Sequence, residues 1–137
     1  MTNKYQKISH ELRIDWSELD LYGHVNNVSF FKYIQSARVN YWEKTGIYRL
    51  YELENKGPLL VSCKCDFIKP LHYPGIVTIY SKMNFIKNTS FSISHQILDS
   101  SQQIVAEAAD VMVLFDYTKN EKITFPADLK LKFETGS

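Results

Sequence analysis

From Lys7 to Trp16 apolar and polar residues alternate one by one, with Ile8, His10, Leu12, Ile14 and Trp16 on one side and Lys7, Ser9, Glu11, Arg13 and Asp15 on the other. A period of two is that of a half-buried strand. Between Val28 and Thr45 the interval changes to three and four, through Phe30, Phe31, Ile34, Ala37, Tyr41 and Trp42, which predicts a helix. Gly46 stands where a left-handed C-terminal cap is expected, and Lys44 lies in the last turn, where a cation is favoured. The apolar groups cover more than one narrow stripe, so this helix is expected to be largely enclosed. Ile47 to Lys56 reads as a short helix or an irregular excursion, closed by Gly57-Pro58.

The rest of the chain reads as strands. Leu59, Val61, Cys63, Cys65 and Phe67 are expected on one face of a strand ending near Pro70, before the turn His72-Tyr73-Pro74-Gly75. Val77, Ile79, Met83 and Phe85 alternate in the next, and Phe91, Ile93, His95 and Ile97 in the one after Lys87-Asn88-Thr89. The segment Ile104 to Tyr117 is apolar on both faces for much of its length, which places it in the interior of a sheet. Thr118 to Lys122 is a polar turn, and Asp128 to Phe133 a final helical turn. Strand, long helix and four strands joined by short turns make an α+β domain, with one antiparallel sheet curled around one helix.

Composition adds limits. A chain of 137 residues, 45% hydrophobic and 14% aromatic, holds one domain, residues 1–137, with material for a core. A net charge of +1 with interspersed signs excludes the basic stripe that nucleic-acid binding requires. The N-terminal residues lack the apolar run of a secretory signal, and nothing approaches the roughly 20 apolar residues of a membrane span. A cytoplasmic protein without membrane or nucleic-acid partners is expected. Cys63 and Cys65 are too close along an extended strand for an undistorted disulfide, and read as reduced thiols. No metal-ligand spacing or cofactor fingerprint appears, so no metal and no cofactor are expected. His10, on an apolar face with no acidic neighbour there, reads as packed or interfacial.

The candidate chemistry lies between the first strand and the helix, in Trp16-Ser17-Glu18-Leu19-Asp20-Leu21-Tyr22-Gly23-His24-Val25-Asn26-Asn27. Gly23 permits a reversal of the backbone, and Asn26 and Asn27 can cap the helix. Asp20 and His24 therefore gather at a helix start, whose free N–H groups and partial positive charge can hold a developing oxyanion. A carboxylate beside such donors can serve as nucleophile or general base toward a carbonyl. The same residues can equally be a capped loop with an exposed histidine. Glu18 reads as a solvated loop acid, although it could compete for the base role.

The run Asp20-Leu-Tyr-Gly-His-Val-Asn-Asn, followed by Tyr33 and Ala37-Arg38, resembles the signature of the hot-dog-fold acyl-CoA thioesterases related to 4-hydroxybenzoyl-CoA thioesterase. Its His-Val-Asn-Asn portion also resembles the acyl-carrier-protein thioesterases. The resemblance implies a hot-dog fold, acyl-CoA hydrolysis, and an active site between two protomers of a homodimer or homotetramer. It assigns Asp20 as the attacking or water-activating carboxylate and the N–H of Asn27 as the donor to the carbonyl oxygen. His24 and the Asn26 side chain are further contacts to the substrate. Phe30 and Phe31, core residues by default, stand near enough to the helix start to line an acyl pocket. Lys87, Lys69 and Lys64 are candidates for the coenzyme A phosphates or are solvated surface lysines. Thr89 and Ser90 either help hold the pantetheine arm or belong to a turn. Arg38 is expected to pair with an acid. The sequence leaves hydrolysis of acyl-carrier-protein thioesters and non-catalytic acyl-CoA binding as alternative functions.

Overall fold

A computed structural model describes residues 5–135. Its elements are β1 (Lys7–Arg13), α1 (Asn27–Thr45), α2 (Tyr48–Glu54), β2 (Lys56–Phe67), β3 (Ile76–Ile86), β4 (Ser90–Leu98), β5 (Ile104–Asp116), β6 (Glu121–Lys122) and α3 (Ala127–Thr135). The strands form one antiparallel sheet in the order β1-β3-β4-β5-β2, with β6 on the end of β5. The sheet curls around α1, as the sequence pattern predicts, and the molecule has the hot-dog fold.

The register sorts side chains into two faces. Ile8, Ser81, His95, Ala108 and Cys65 form one row across the five main strands, facing α1, while the adjoining row of Lys7, Lys82, Ser94, Ala109 and Lys64 faces away. Phe30, Tyr33, Ile34 and Ala37 of α1 pack with Val77, Ile79, Ile97 and Ala106 of the sheet. Each of the larger side chains contributes roughly 1.5–3 kcal/mol by leaving water. A second cluster at the C-terminal end of α1 joins Tyr41 and Ile47 to Met83, Phe91, Met112, Phe125 and Phe133. Gly46 ends α1 in the left-handed conformation (φ 81°), and its N–H donates to the Trp42 carbonyl.

Three expectations need correction. The first strand stops at Arg13 rather than Trp16, because the Asp15 side chain accepts from the N–H of Ser17 and caps a 3-10 turn over Trp16–Glu18. Trp16 is left 73% exposed, while Ile14 remains in the core. The residues Leu59, Val61, Cys63, Cys65 and Phe67 do not share one face. A bulge between Leu60 and Ser62 switches the alternation, so that Leu60, Cys63, Cys65 and Phe67 lie on the α1 side. A like bulge between Met83 and Phe85 turns Phe85 to the outer face.

The interior position expected for the last long strand holds, since β5 lies between β4 and β2. The edges are β1 and β2. Asn40 Nδ2 of α1 donates to the Ser9 carbonyl of β1 at 3.3 Å, and His10 Nε2 lies 2.8 Å from Ser36 Oγ, so His10 is packed as expected. At the edge of β2 the Tyr117 hydroxyl donates to the Pro58 carbonyl at 2.7 Å, no strand among the described residues pairs with it, and Leu59, Leu60 and Val61 are exposed by 39%, 44% and 61%.

Candidate active site

The loop between β1 and α1 is built by its own polar groups. Asp20 N–H donates to the His24 carbonyl at 2.7 Å, and Asp20 Oδ1 accepts from the N–H groups of Tyr22 (2.9 Å) and His24 (3.1 Å). Gly23 turns the chain with φ 80°, a conformation that costs other residues more. Leu19 and Val25 bridge across the base of the turn, and His24 bridges to His72. Val25 N–H donates to the Leu71 carbonyl at 2.9 Å, which fixes the loop to the segment after β2.

Asn26 is the N-cap of α1: its Oδ1 accepts from the Ser29 N–H at 2.7 Å. Asn27 is the first helical residue, and helix geometry gives its N–H no intrahelical acceptor. Asp20, His24, Asn27, Phe30, Phe67 and Lys69 line one cavity of about 370 Å³. The cavity thus brings together the Asp20 side chain and the first residue of a nineteen-residue helix, whose start carries a partial positive charge. Asp20 and Asn27 are solvent-exposed, whereas Phe30 is buried.

The candidate residues thus divide. Asp20, His24, Asn27 and Phe30 meet in the cavity, and Asn26 caps the helix behind it. Phe31 is partly exposed, its ring 6.4 Å from that of Phe67, just outside the lining. Lys87, Thr89 and Ser90 lie at the β3–β4 connection, where Thr89 accepts from the Leu114 N–H and Lys87 sits over the Phe85 ring. Phe67 pairs with Ala106 and Ser90 with Val113, seven residues along β5. At strand rise that separates these three residues from the cavity of their own chain by roughly 24 Å. Of the other lysines, Lys69 is in the lining, with its Nζ donating to Gln103 Oε1, and Lys64 pairs with Asp66 on the outer face.

Glu18 is not the solvated acid that its place in a loop suggests. It is buried; Oε1 accepts from the Asp15 N–H (2.8 Å) and from the Tyr33 hydroxyl (2.8 Å), and Lys32 Nζ stands 3.7 Å from Oε2. Its carbonyl also accepts from the Asn26 N–H at 2.8 Å. Burial and the Glu18 carboxylate both push the Tyr33 hydroxyl upward, so it stays protonated as a donor. Glu18 and Tyr33 therefore bind the loop to α1 and set where Asp20 stands.

Sequence reasoning misses two further groups. The first is His72, whose ring meets that of His24 edge to face at 4.9 Å. The second lies under α1: Arg38 Nε and Nη2 donate to Asp110 Oδ2 and Oδ1 at 2.8 and 3.1 Å, bearing out the expected acid partner. Asp110 Oδ2 is also 2.7 Å from His95 Nε2, and His95 Nδ1 is 2.7 Å from Ser81 Oγ. Serine, histidine and aspartate stand in the order of a hydrolytic triad, but all three are enclosed and no substrate reaches Ser81. The signal for this cluster was an aspartate inside the apolar run Ala108-Ala109-Asp110-Val111-Met112, because a buried carboxylate demands partners. Cys63 and Cys65 are free thiols, with burial as the main cause raising them to about 12 and about 11. Such thiols are poor nucleophiles. Among the described residues no cluster of ligands suits a metal ion, and no helix is long and apolar enough to cross a membrane.

A profile of the Thioesterase-like superfamily matches residues 14–133, spanning the loop, the helix and every strand of the sheet but β1. The chain belongs to that superfamily. It is therefore a thioester hydrolase by family. The long-chain acyl-CoA thioesterase FadM of Escherichia coli is 23% identical over 125 residues, covering 90% of this chain and 95% of that one. Among solved structures, a predicted thioesterase from Bacillus stearothermophilus superposes with a TM-score of 0.84 at 20% identity, covering 93% of this chain and 94% of the other. A 1,4-dihydroxy-2-naphthoyl-CoA thioesterase from Synechocystis superposes with a TM-score of 0.80 at 16% identity, covering 96% and 97%. At these identities the structural likeness establishes the fold.

Proposed function

We propose that the protein hydrolyses acyl-CoA thioesters to the free acid and coenzyme A, with Asp20 and the N–H of Asn27 as the reacting pair. The observation that carries this reading is that both line one cavity at the start of α1. A thioester carbonyl oxygen placed on the Asn27 N–H gains charge as the tetrahedral adduct forms, and the helix end stabilises that charge. The Asp20 carboxylate either takes a proton from an attacking water or adds to the carbonyl itself. In the first course the water oxygen bonds to carbon, the carbon–sulfur bond breaks, and the thiolate recovers the proton from Asp20. In the second, the carboxylate displaces the thiolate as the carbon–sulfur bond breaks, and water cleaves the resulting mixed anhydride to the free acid and a protonated Asp20, whose proton passes to the thiolate. Thiolate is a good leaving group, so a strong general acid is unnecessary. His24, which also lines the cavity, is a further polar contact.

The reading includes a homodimer or homotetramer with the site at the subunit boundary, in the cytoplasm. The β2 edge, with which no strand among the described residues pairs, and its exposed Leu59, Leu60 and Val61 support the oligomer, since such an edge invites pairing with a second strand. Lys87, Thr89 and Ser90, distant from the cavity of their own chain, would then serve the substrate from the neighbouring subunit. The long-chain acyl-CoA and 1,4-dihydroxy-2-naphthoyl-CoA specificities of the two relatives support a coenzyme A thioester over a carrier-protein thioester. The test is release of free thiol from a panel of aliphatic and aromatic acyl-CoA thioesters, run beside acyl-carrier-protein thioesters. Thermal stabilisation by acyl-CoA with no thiol release would favour the non-catalytic alternative.

A further inference from the structure

His72 has no part in the mechanism above, yet the fold sets its ring against that of His24. The segment that carries it is pinned on both sides. Before it, the Lys69 N–H donates to the Val105 carbonyl at 3.1 Å; after it, the Gly75 carbonyl accepts from the Ile14 N–H at 3.0 Å. Between these ties His72 stands opposite His24 in an antiparallel bridge, and the flanking bond runs from the Val25 N–H to the Leu71 carbonyl at 2.9 Å. Opposed residues that do not bond each other directly come closest, with their side chains on one face. Val25 and Leu71 are buried in the core, and the alternation of an extended chain sends both histidines to the other face.

The two rings meet edge to face, their centroids 4.9 Å apart and their planes at 81°. In this arrangement the positive edge of one ring rests on the negative face of the other. Among the described residues no hydrogen bond or ion pair holds either imidazole, so the ring contact is what orients His24. His24 lines the Asp20 cavity, as do Lys69, Pro70 and Leu71 from the segment before His72, whereas His72 itself stands outside the lining. A molecule in the cavity therefore meets His24 in the wall, with His72 behind it. His72 is exposed to solvent, so removing its ring opens no hole in the core. A side chain at a reacting site keeps a productive rotamer when a neighbour locks it, and His72 is the neighbour that His24 has.

Resting on the thioesterase reading above, we propose that His72 is a positioning residue, whose ring holds His24 in the rotamer that contacts a thioester bound at Asp20 and Asn27. His72 touches neither the substrate nor the reacting atoms and acts through His24. What the site requires at position 72 is an aromatic ring rather than a hydrogen-bonding group.

The test is a double-mutant cycle on kcat/KM for thiol release from decanoyl-CoA and benzoyl-CoA. His72→Ala and His72→Gln should each lower kcat/KM by about three- to tenfold, the worth of one aromatic contact, while His72→Phe stays within about twofold of the parent. His24→Ala should lose at least as much as His72→Ala. In the His24→Ala background, His72→Ala should have no further effect, because the group it positions is gone. The urea midpoint of His72→Ala should match that of the parent. Losses that multiply in the double variant, a Phe variant as impaired as Ala, or a His72→Ala chain with parent kcat/KM would each overturn the proposal. So would a lowered urea midpoint in His72→Ala, which would make its loss one of folding. Failure of the catalytic reading looks different: Asp20→Asn would keep its turnover, or the parent would release no thiol. In that event the affinity of a decyl thioether analogue of acyl-CoA decides the role of His72 alone. It should fall by about three- to tenfold in His72→Ala and hold in His72→Phe; an affinity unchanged in His72→Ala, or no binding by the parent, would overturn the assignment.

Discussion

Replacing Asp110 by Asn removes the charge at the centre of the cluster that ties α1 to the sheet. Asp110 is 0% exposed and receives two hydrogen bonds from Arg38 and one contact from His95. Burial alone would raise its carboxyl, but the His95 and Arg38 hydrogen bonds and charges outweigh burial and hold it at about 2, against an ordinary 3.8. That difference is worth about 2 kcal/mol of folding stability. A folded value below the unfolded one means the contribution is complete above the ordinary carboxylate range and disappears as pH falls from about 4 to about 2. Asn costs more than this at neutral pH, because the Arg38 guanidinium, 14% exposed, is left without its counter-charge. Removing one member of a buried pair typically costs about 3–5 kcal/mol, a large share of a domain stability of roughly 5–15 kcal/mol. Urea unfolding at pH 7 should show a loss in that range. A series down to pH 2 should show the parent losing the Asp110 contribution while the variant loses none from this position. The double change Arg38→Met with Asp110→Leu should cost less than either single change, since it strands no charge. An Asp110→Asn chain within about 0.5 kcal/mol of the parent, with the same pH dependence, would refute this reasoning.

Tyr33→Phe deletes a donor to the buried Glu18 carboxylate and should lower stability by about 1.5–3 kcal/mol; kcat should fall more than KM rises in thiol-release kinetics, because the loop carrying Asp20 loses its tie to α1. Gly46→Ala places a Cβ at φ 81°, where the nearest atom is the side-chain Lys132 Nζ at 3.4 Å, an ordinary contact distance. The cost is then backbone strain, about 1–2 kcal/mol by chemical denaturation. Cys63 and Cys65, raised by burial to about 12 and about 11, should resist a thiol reagent at pH 8 in the folded protein and react at the rate of a free cysteine in urea; rapid modification of the folded protein would contradict that account.

The elements that position the site were legible because each has a period. The interval of α1 and the polar run before it located the helix start, and the cap residues Asn26 and Gly46 fall where the spacing puts them. The bulges in β2 and β3 were invisible, since a residue inserted between Leu60 and Ser62 leaves apolar side chains on both sides and no break in composition. The early end of β1 was legible in principle: Asp15 and Glu18, three apart, form a capping box. The buried character of Glu18 was not, because it depends on Tyr33, fifteen residues away. Likewise the Ser81, His95 and Asp110 contacts run across strands whose register a sequence alone does not fix. What the chain could reveal was the loop and its helix; what it could not was how distant strands hold them.

The most direct measurement is thiol release by Asp20→Asn at saturating acyl-CoA, with binding of a thioether analogue followed in parallel. Loss of the Asp20 carboxylate should reduce kcat by about a thousandfold or more while the analogue binds within a few-fold of its parent affinity. A variant that turns over within tenfold of the parent would contradict the assignment of Asp20 and, with it, the site built around the start of α1.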